Sequence, residues 1–211
     1  MICEHKSNLW RLRRQQKRYG VSGVFFAKKS CLAHKVFFEI PSQLSQKVLD
    51  GIDWFSSDSL HITVIRGKSK DHPLDLESIQ EAARSIKIDS DILASFQGIE
   101  VGVDGAIRAA FKLLDIERKI DTRTFEQYFA NFDIDVRVQS HAWCTLGCIG
   151  KSDLTDASYI STIKKEFRKI VIDDILINCV DIIYYQDIRL SSYQVIKKII
   201  PGKRNELQLS V

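Results

Sequence analysis

Hydrophobic and polar positions along the chain switch between two periods, and the switches divide it into short strands and helices. β-type runs occupy 21–27, 35–40, 60–65, 96–103 and 106–114, with further strands at 175–184 and 193–200. The run 35–40 reads KVFFEI, is rich in strand formers and stops at Pro41. Helical spacings lie between these runs. Leu44, Val48, Leu49 and Ile52 recur at helical intervals after Ser42, a good N-cap. Leu76, Ile79, Ala82 and Ala83 form one apolar face over 75–86, and further helices are predicted over 122–131 and 156–169. A basic helix is predicted over 7–18, ended near Gly20, with a turn at 28–30. Asp104-Gly105 is a type I′ hairpin signal between two strands. Residues 135–138 lead into a strand that ends over 144–149. The succession βαβα, ββα, βαββ predicts an α+β fold. No residue-level repeat is present, but the two halves echo each other, each with a strand that carries a polar x-Thr pattern.

That echo concentrates the chemistry. His61 and Thr63 are two apart in an apolar strand and share one face, while Leu60, Ile62 and Val64 share the other. One side is then a core, and the other offers an imidazole that titrates near neutrality beside a hydroxyl that can hold a phosphate oxygen. The same pair is also what a half-exposed strand face displays.

In its setting the pair resembles a motif of the two-histidine (2H) phosphoesterase superfamily, the group of RNA-ligase-like and cyclic phosphodiesterases. The likeness rests first on KVFFEIPSQLSQKVLDGIDWFSSDSLHITVIRG, residues 35–67: an apolar strand ending in Pro, a helix, then a loop into L-H-[IV]-T-[LV]. A hairpin, a helix and a second motif strand follow in the family's order, and 176–201 is similar to its closing segment. The resemblance implies a two-lobed, pseudo-twofold α+β fold with antiparallel sheets flanking a central cleft. It places the domain at 35–201, after a basic N-terminal extension, 1–34, and before a C-terminal tail, 202–211. It implies a metal-independent phosphodiesterase, a hydrolase acting on RNA ends, 2′,5′-oligonucleotides or cyclic nucleotides. One histidine is general base and the other general acid, two hydroxyls bind the phosphate, and no cofactor takes part.

His61 and Thr63 match the first motif. The second strand reads HAWCTLGCIG, residues 141–150, and Thr145-Leu146-Gly147 aligns with T-L-[AG]. Its histidine falls at residue 143, which is Trp, a side chain that cannot exchange a proton near neutral pH. His141 lies on the same face two residues earlier, ~6.6 Å along a regular strand, and a β-bulge would bring it closer. The catalytic candidates are therefore His61, Thr63, Thr145 and His141. The alternative is a catalytically degenerate nucleotide- or RNA-binding protein that reuses the cleft, with Trp143 as a stacking platform. Tyr184, Tyr185 and Phe111 are further candidates for stacking or for the core.

Composition narrows the partners. Of 211 residues 45% are hydrophobic and 27% charged, an ordinary globular mixture. No apolar run approaches the ~20 residues that span a bilayer, so no transmembrane segment is expected. The formal charge of +4 is unevenly spread. Residues 1–35 hold nine cations against Glu4, whereas 36–196 hold 18 cations and 25 anions. The basic arm is a candidate contact for a polyanion, a transit segment or simply a solvated arm, and Lys197, Lys198, Lys203 and Arg204 form a second basic cluster. Five cysteines at 3, 31, 144, 148 and 179, with no apolar leader core before them, indicate a reducing, cytoplasmic compartment. Cys144 and Cys148 read as core thiols, and neither a glycine-rich phosphate loop nor a metal-ligand cluster is evident.

Overall fold

The computed structural model describes residues 17–27, 31–67, 70–132, 134–149, 156–187, 190 and 192–202. The predicted basic helix (save its last residues), the turn at 28–30 and the tail from 203 lie outside the described residues.

The fold is mixed α+β, with antiparallel sheets. β1 (Gly20–Phe26) leads into a helical stretch made of α1 (Cys31–His34), a π-helical turn (Lys35–Glu39) and α2 (Ile40–Ser42). Then come α3 (Gln46–Asp50), β2 (Ile52–Trp54), β3 (His61–Gly67), α4 (Leu76–Arg84) and β4 (Lys87–Ile88). The middle holds the hairpin β5 (Ile92–Val101) and β6 (Ala106–Leu113), then α5 (Ile116–Lys119), β7 (Ile120–Asp121) and α6 (Arg123–Ala130). β8 (Val136–Val138), β9 (His141–Ile149), α7 (Ala157–Phe167), β10 (Ile175–Ile177), β11 (Val180–Tyr185) and β12 (Tyr193–Ile199) complete it.

Two five-stranded sheets carry the molecule, one in the order β12-β11-β1-β3-β8 and the other β10-β5-β6-β9-β2; β4 and β7 pair separately. The strand expected to bear each x-Thr pattern is fourth in its sheet. Each fifth strand is supplied by the chain leading to the other sheet's fourth: β2 precedes β3 but pairs with β9, and β8 precedes β9 but pairs with β3. The two sheets are thereby interlocked at their centre.

Both fourth strands carry a bulge at the same offset. In β3, Thr63 faces Val24 and Ile65 faces Gly23, so Val64 is the extra residue. In β9, Thr145 faces Arg108 and Gly147 faces Ile107, so Leu146 is extra. A bulge leaves a backbone group outside the ladder. Here Val64 O accepts from Gln139 N–H, and Leu146 O from Phe55 N–H, both at 2.9 Å, each donor being the residue just past the exchanged edge strand.

The helices cover the sheet faces turned away from the cleft. Ile79, Ala82 and Ala83 of α4 and Phe125 and Phe129 of α6 are buried, as are Tyr159, Ile163 and Phe167 of α7. α4 packs on β12 and α6 on β8, while α7 packs on β5. Asp75 and Asp156 cap α4 and α7, accepting from Ser78 N–H at 3.0 Å and Ser158 N–H at 2.8 Å. At the other end of α4, Lys197 Nζ donates to the carbonyls of Ala83, Arg84 and Ile86 at 3.1–3.2 Å. Lys197 is thus a helix C-cap, not part of a free basic cluster. Lys197→Met is expected to remove this shared donor from the end of α4 and cost about 1–3 kcal/mol in urea unfolding.

Five sequence expectations are corrected. The KVFFEI segment is helical: Leu32, Val36, Ile40 and Leu44 are buried at intervals of four, while Phe38, which a strand would bury with Val36 and Ile40, is 67% exposed. Pro41 sits in the first turn of α2, where its missing N–H costs nothing. Ser42 is likewise inside that turn, and the N-cap of α3 is Ser45. The strand beside β3 is β1, so the boundary at residue 35 does not bound the fold; β1 lies between β3 and β11. The expected strand over 175–184 breaks at Asn178-Cys179, and its halves join different sheets. Finally, the hairpin turn is not type I′, since only Gly105 has positive φ (78°). Gly105 N–H donates to Gly102 O at 2.9 Å, which gives a type I turn closed by a left-handed glycine.

Candidate functional site

β3 and β9 run side by side at the meeting of the sheets and open a cleft of about 390 Å³ between them. The Cys144 thiol on β9 hydrogen-bonds with the His61 backbone, and burial pushes its pKa up to about 12. It is a packing thiol. Cys148 and Cys179 are also buried thiols, and Cys179 Sγ–H donates to Asp181 Oδ1 at 3.6 Å.

His61, Thr63, Trp143 and Thr145 all line the cleft. The register makes them two corresponding pairs. Counting back from each bulge, Thr63 corresponds to Thr145 and His61 to Trp143. His141 is not brought to them. The ladder is regular from Lys112↔His141 through Arg108↔Thr145, so no bulge draws His141 inward. It is exposed at the start of β9, its Nδ1 3.3 Å from Ser140 Oγ, and does not line the cleft. The expected bulge that would bring His141 closer is absent: the bulge in β9 lies on the far side of Thr145.

The His61 ring is half-buried, edge-on to Phe26 at 6.3 Å. Its Nδ1 lies 2.8 Å from Ser59 O, so Nδ1–H donates and the neutral ring keeps its lone pair on Nε2. Burial lowers its pKa below the usual 6.5, and the Ser59 hydrogen bond opposes this only in part. At neutral pH His61 is a base. The unfolded state binds the proton more readily, so stability is full above about pH 6.5 and falls on acidification through the folded-state pKa. NMR titration of the His61 ring is expected to give a midpoint below 6.5, and denaturant midpoints should drop over the same range; a midpoint above 6.5 would contradict this placement.

On β9, Trp143 is held by a hydrogen bond from its Nε1 to Oε2 of Glu100 on β5 at 3.3 Å, and the residue is 41% exposed. Beside Thr145, Arg108 is gripped by Asp104 of the hairpin turn at 2.6 Å. Burial pushes the Asp104 carboxyl up, but the hydrogen bond and charge of Arg108 outweigh it and hold it below the usual carboxylate range.

Arg66, Arg108 and Ser22 are among the cleft residues that escape the sequence reading. Alternation from His61 puts Ile65, not Arg66, in the cleft; the bulge reverses this, burying Val64 and Ile65 together and turning Arg66 into the site. Arg108 enters through the β6–β9 register, which sequence alone does not fix. Ser22 enters because β1 belongs to the fold. Of the aromatic candidates, Tyr185 lines the cleft, Phe111 is core, and Tyr184 stacks on Tyr19 at the opposite face of the sheet. His34 lies tilted against Phe38, and His72 pairs with Asp71 at the surface.

Among the described residues no group of three or more His, Cys, Asp or Glu is placed to hold a metal ion, and no helix is long and apolar enough to cross a membrane. Comparison with known proteins finds no matching family model and no matching curated protein.

Proposed function

We propose that the cleft binds the phosphate of a nucleotide or short RNA, as a relative of the 2H phosphoesterases with one of its two proton-transfer groups replaced. The observation that carries this reading is the register: Thr63 and Thr145 occupy corresponding places on two interlocked strands, and Trp143 occupies the place that corresponds to His61. The pseudo-twofold 2H arrangement accounts for the shared bulge, the exchanged edge strands and the central cleft in one stroke.

The roles follow from the groups. The Thr63 and Thr145 hydroxyls donate to phosphate oxygens from opposite sides, and Arg66 and Arg108 supply positive charge. Trp143, oriented by Glu100, offers an exposed indole face for a base. His61 can take a proton from an attacking water or hydroxyl through Nε2. Among the described residues no second histidine stands across the cleft to protonate the leaving oxygen. Phosphodiester hydrolysis therefore lacks a factor that general acid catalysis supplies, about 10²–10⁴. Binding is the main activity on this reading, and turnover is residual.

Stacking gives a direct test. Titration with a dinucleoside monophosphate, in EDTA, should quench tryptophan fluorescence, and Trp143→Ala should remove the quench and weaken binding by the ~1–3 kcal/mol of one stacked base. Unchanged affinity in Trp143→Ala would remove the stacking role.

A further inference from the structure

Ser22 is 8% exposed and lines the cleft, yet among the described residues its hydroxyl has no hydrogen-bond partner. Two other buried polar side chains are satisfied within the fold: Thr122 donates to Glu126, and Asp181 accepts from Cys179. A buried hydroxyl with no bond is costly and calls for a partner.

Arg66 stands beside it. The β1–β3 register sets Ser22 directly opposite Arg66, so both side chains rise from the cleft face. On its other side Arg66 faces Arg137 of β8, whose guanidinium is paired with Asp135 at 2.8 Å. Arg66 itself has no carboxylate partner among the described residues. Like charges set opposite each other repel. An anion at Arg66 relieves that repulsion and gives the serine its acceptor.

The backbone does not require this pair. Counting forward from the two bulges, Ser22 and Arg66 correspond to Ala106 and Cys148 of the other sheet, both buried. That sheet builds the same bulge with a methyl and a thiol, so the donors are chemistry added at one end of the cleft. The first phosphate does not use them either. Arg108 faces Thr145 directly, whereas Thr63 faces Val24. Ser22 is two residues further along β1, ~6.6 Å on a regular strand. That step is too long for a pyrophosphate, whose phosphorus atoms share one oxygen, and suits two phosphates on one ribose.

We infer that Ser22 and Arg66 form a second phosphate subsite, and that the cleft takes a nucleoside bisphosphate. One phosphate lies on Thr63 and Thr145. The other, a dianionic monoester, accepts from the Ser22 hydroxyl and from the paired N–H groups of Arg66. The inference rests on the proposed phosphate site and makes its ligand a mononucleotide with two separate phosphates.

The test is calorimetric titration of the full chain, in EDTA, with adenosine 5′-monophosphate, 3′-monophosphate and 3′,5′-bisphosphate. Wild type is expected to hold the bisphosphate at least about 10-fold tighter than either monophosphate, as one further set of charge-assisted bonds gives. Ser22→Ala and Arg66→Gln should each cut that ratio by at least about 3-fold. Ser22→Ala should also keep or raise the urea midpoint, because it removes a hydroxyl with no partner. A lower midpoint would mean that the hydroxyl is bonded within the fold, and overturns the subsite. So does a bisphosphate held no tighter than the monophosphates, or a ratio unchanged in both variants; if wild type still binds a dinucleoside monophosphate, the threonine site stands. A 5′-phosphorylated dinucleotide held tighter than the bisphosphate overturns the assignment to a mononucleotide. Failure of wild type to bind any of these ligands overturns the phosphate site itself, and the subsite with it.

Discussion

Trp143→His is expected to raise hydrolysis of a 2′,3′-cyclic nucleotide by about 10²–10⁴-fold, the usual worth of a positioned general acid. Residue 143 follows Ala142, faces Ala110 and precedes Thr145 by two, as His61 precedes Thr63 by two. An imidazole there would enter the cleft opposite His61 without moving the strand, because the β9 register is set by Lys112↔His141, Arg108↔Thr145 and the bulge beyond. With His61 poised as base by its Ser59 tether, the new histidine would protonate the leaving oxygen. The gain must depend on His61, so adding His61→Ala should return the rate to the parent level. The pH profile should become bell-shaped, one limb for each group. No gain in a variant that folds and binds the nucleotide normally would mean that 143 and 61 do not correspond as the register indicates.

The second large effect is on the fold. Phe25→Ala should destabilise the protein by about 3–5 kcal/mol in urea unfolding, the cost of truncating a buried aromatic and leaving a cavity. Phe25 is 1% exposed and faces Ile62, the residue behind the His61–Thr63 face, so it joins β1 to β3 beneath the site. Phe38→Ala is the companion. It sits in a segment of equal apparent β character yet is mostly exposed, and its removal should change stability by less than about 0.5 kcal/mol. Similar costs for both would contradict the helical placement of 35–39.

These two phenylalanines mark what sequence reveals here. Strands β1 and β3, the β5–β6 pair and helices α4, α6 and α7 are legible because local periodicity agrees with tertiary burial. KVFFEI misleads because its composition favours a strand while its burial follows Leu32, Val36, Ile40 and Leu44, a helical interval that begins before the β-rich run. The break at Asn178-Cys179 is invisible because two successive apolar strands read as one. Of the site, His61, Thr63, Trp143 and Thr145 are legible from alternation and motif. Arg66 and Arg108 are not: the first depends on a one-residue bulge that reverses alternation, the second on a pairing register set far along the chain.

Whether Thr63 and Thr145 hold one phosphate between them is read from calorimetric titration. A dinucleoside monophosphate, in EDTA, should bind wild type and lose at least about 100-fold in affinity in the Thr63→Val, Thr145→Val variant, since two hydrogen bonds to a charged group at ~1.5–3 kcal/mol each are removed. Equal affinity in a folded double variant would mean that the two hydroxyls do not hold the phosphate.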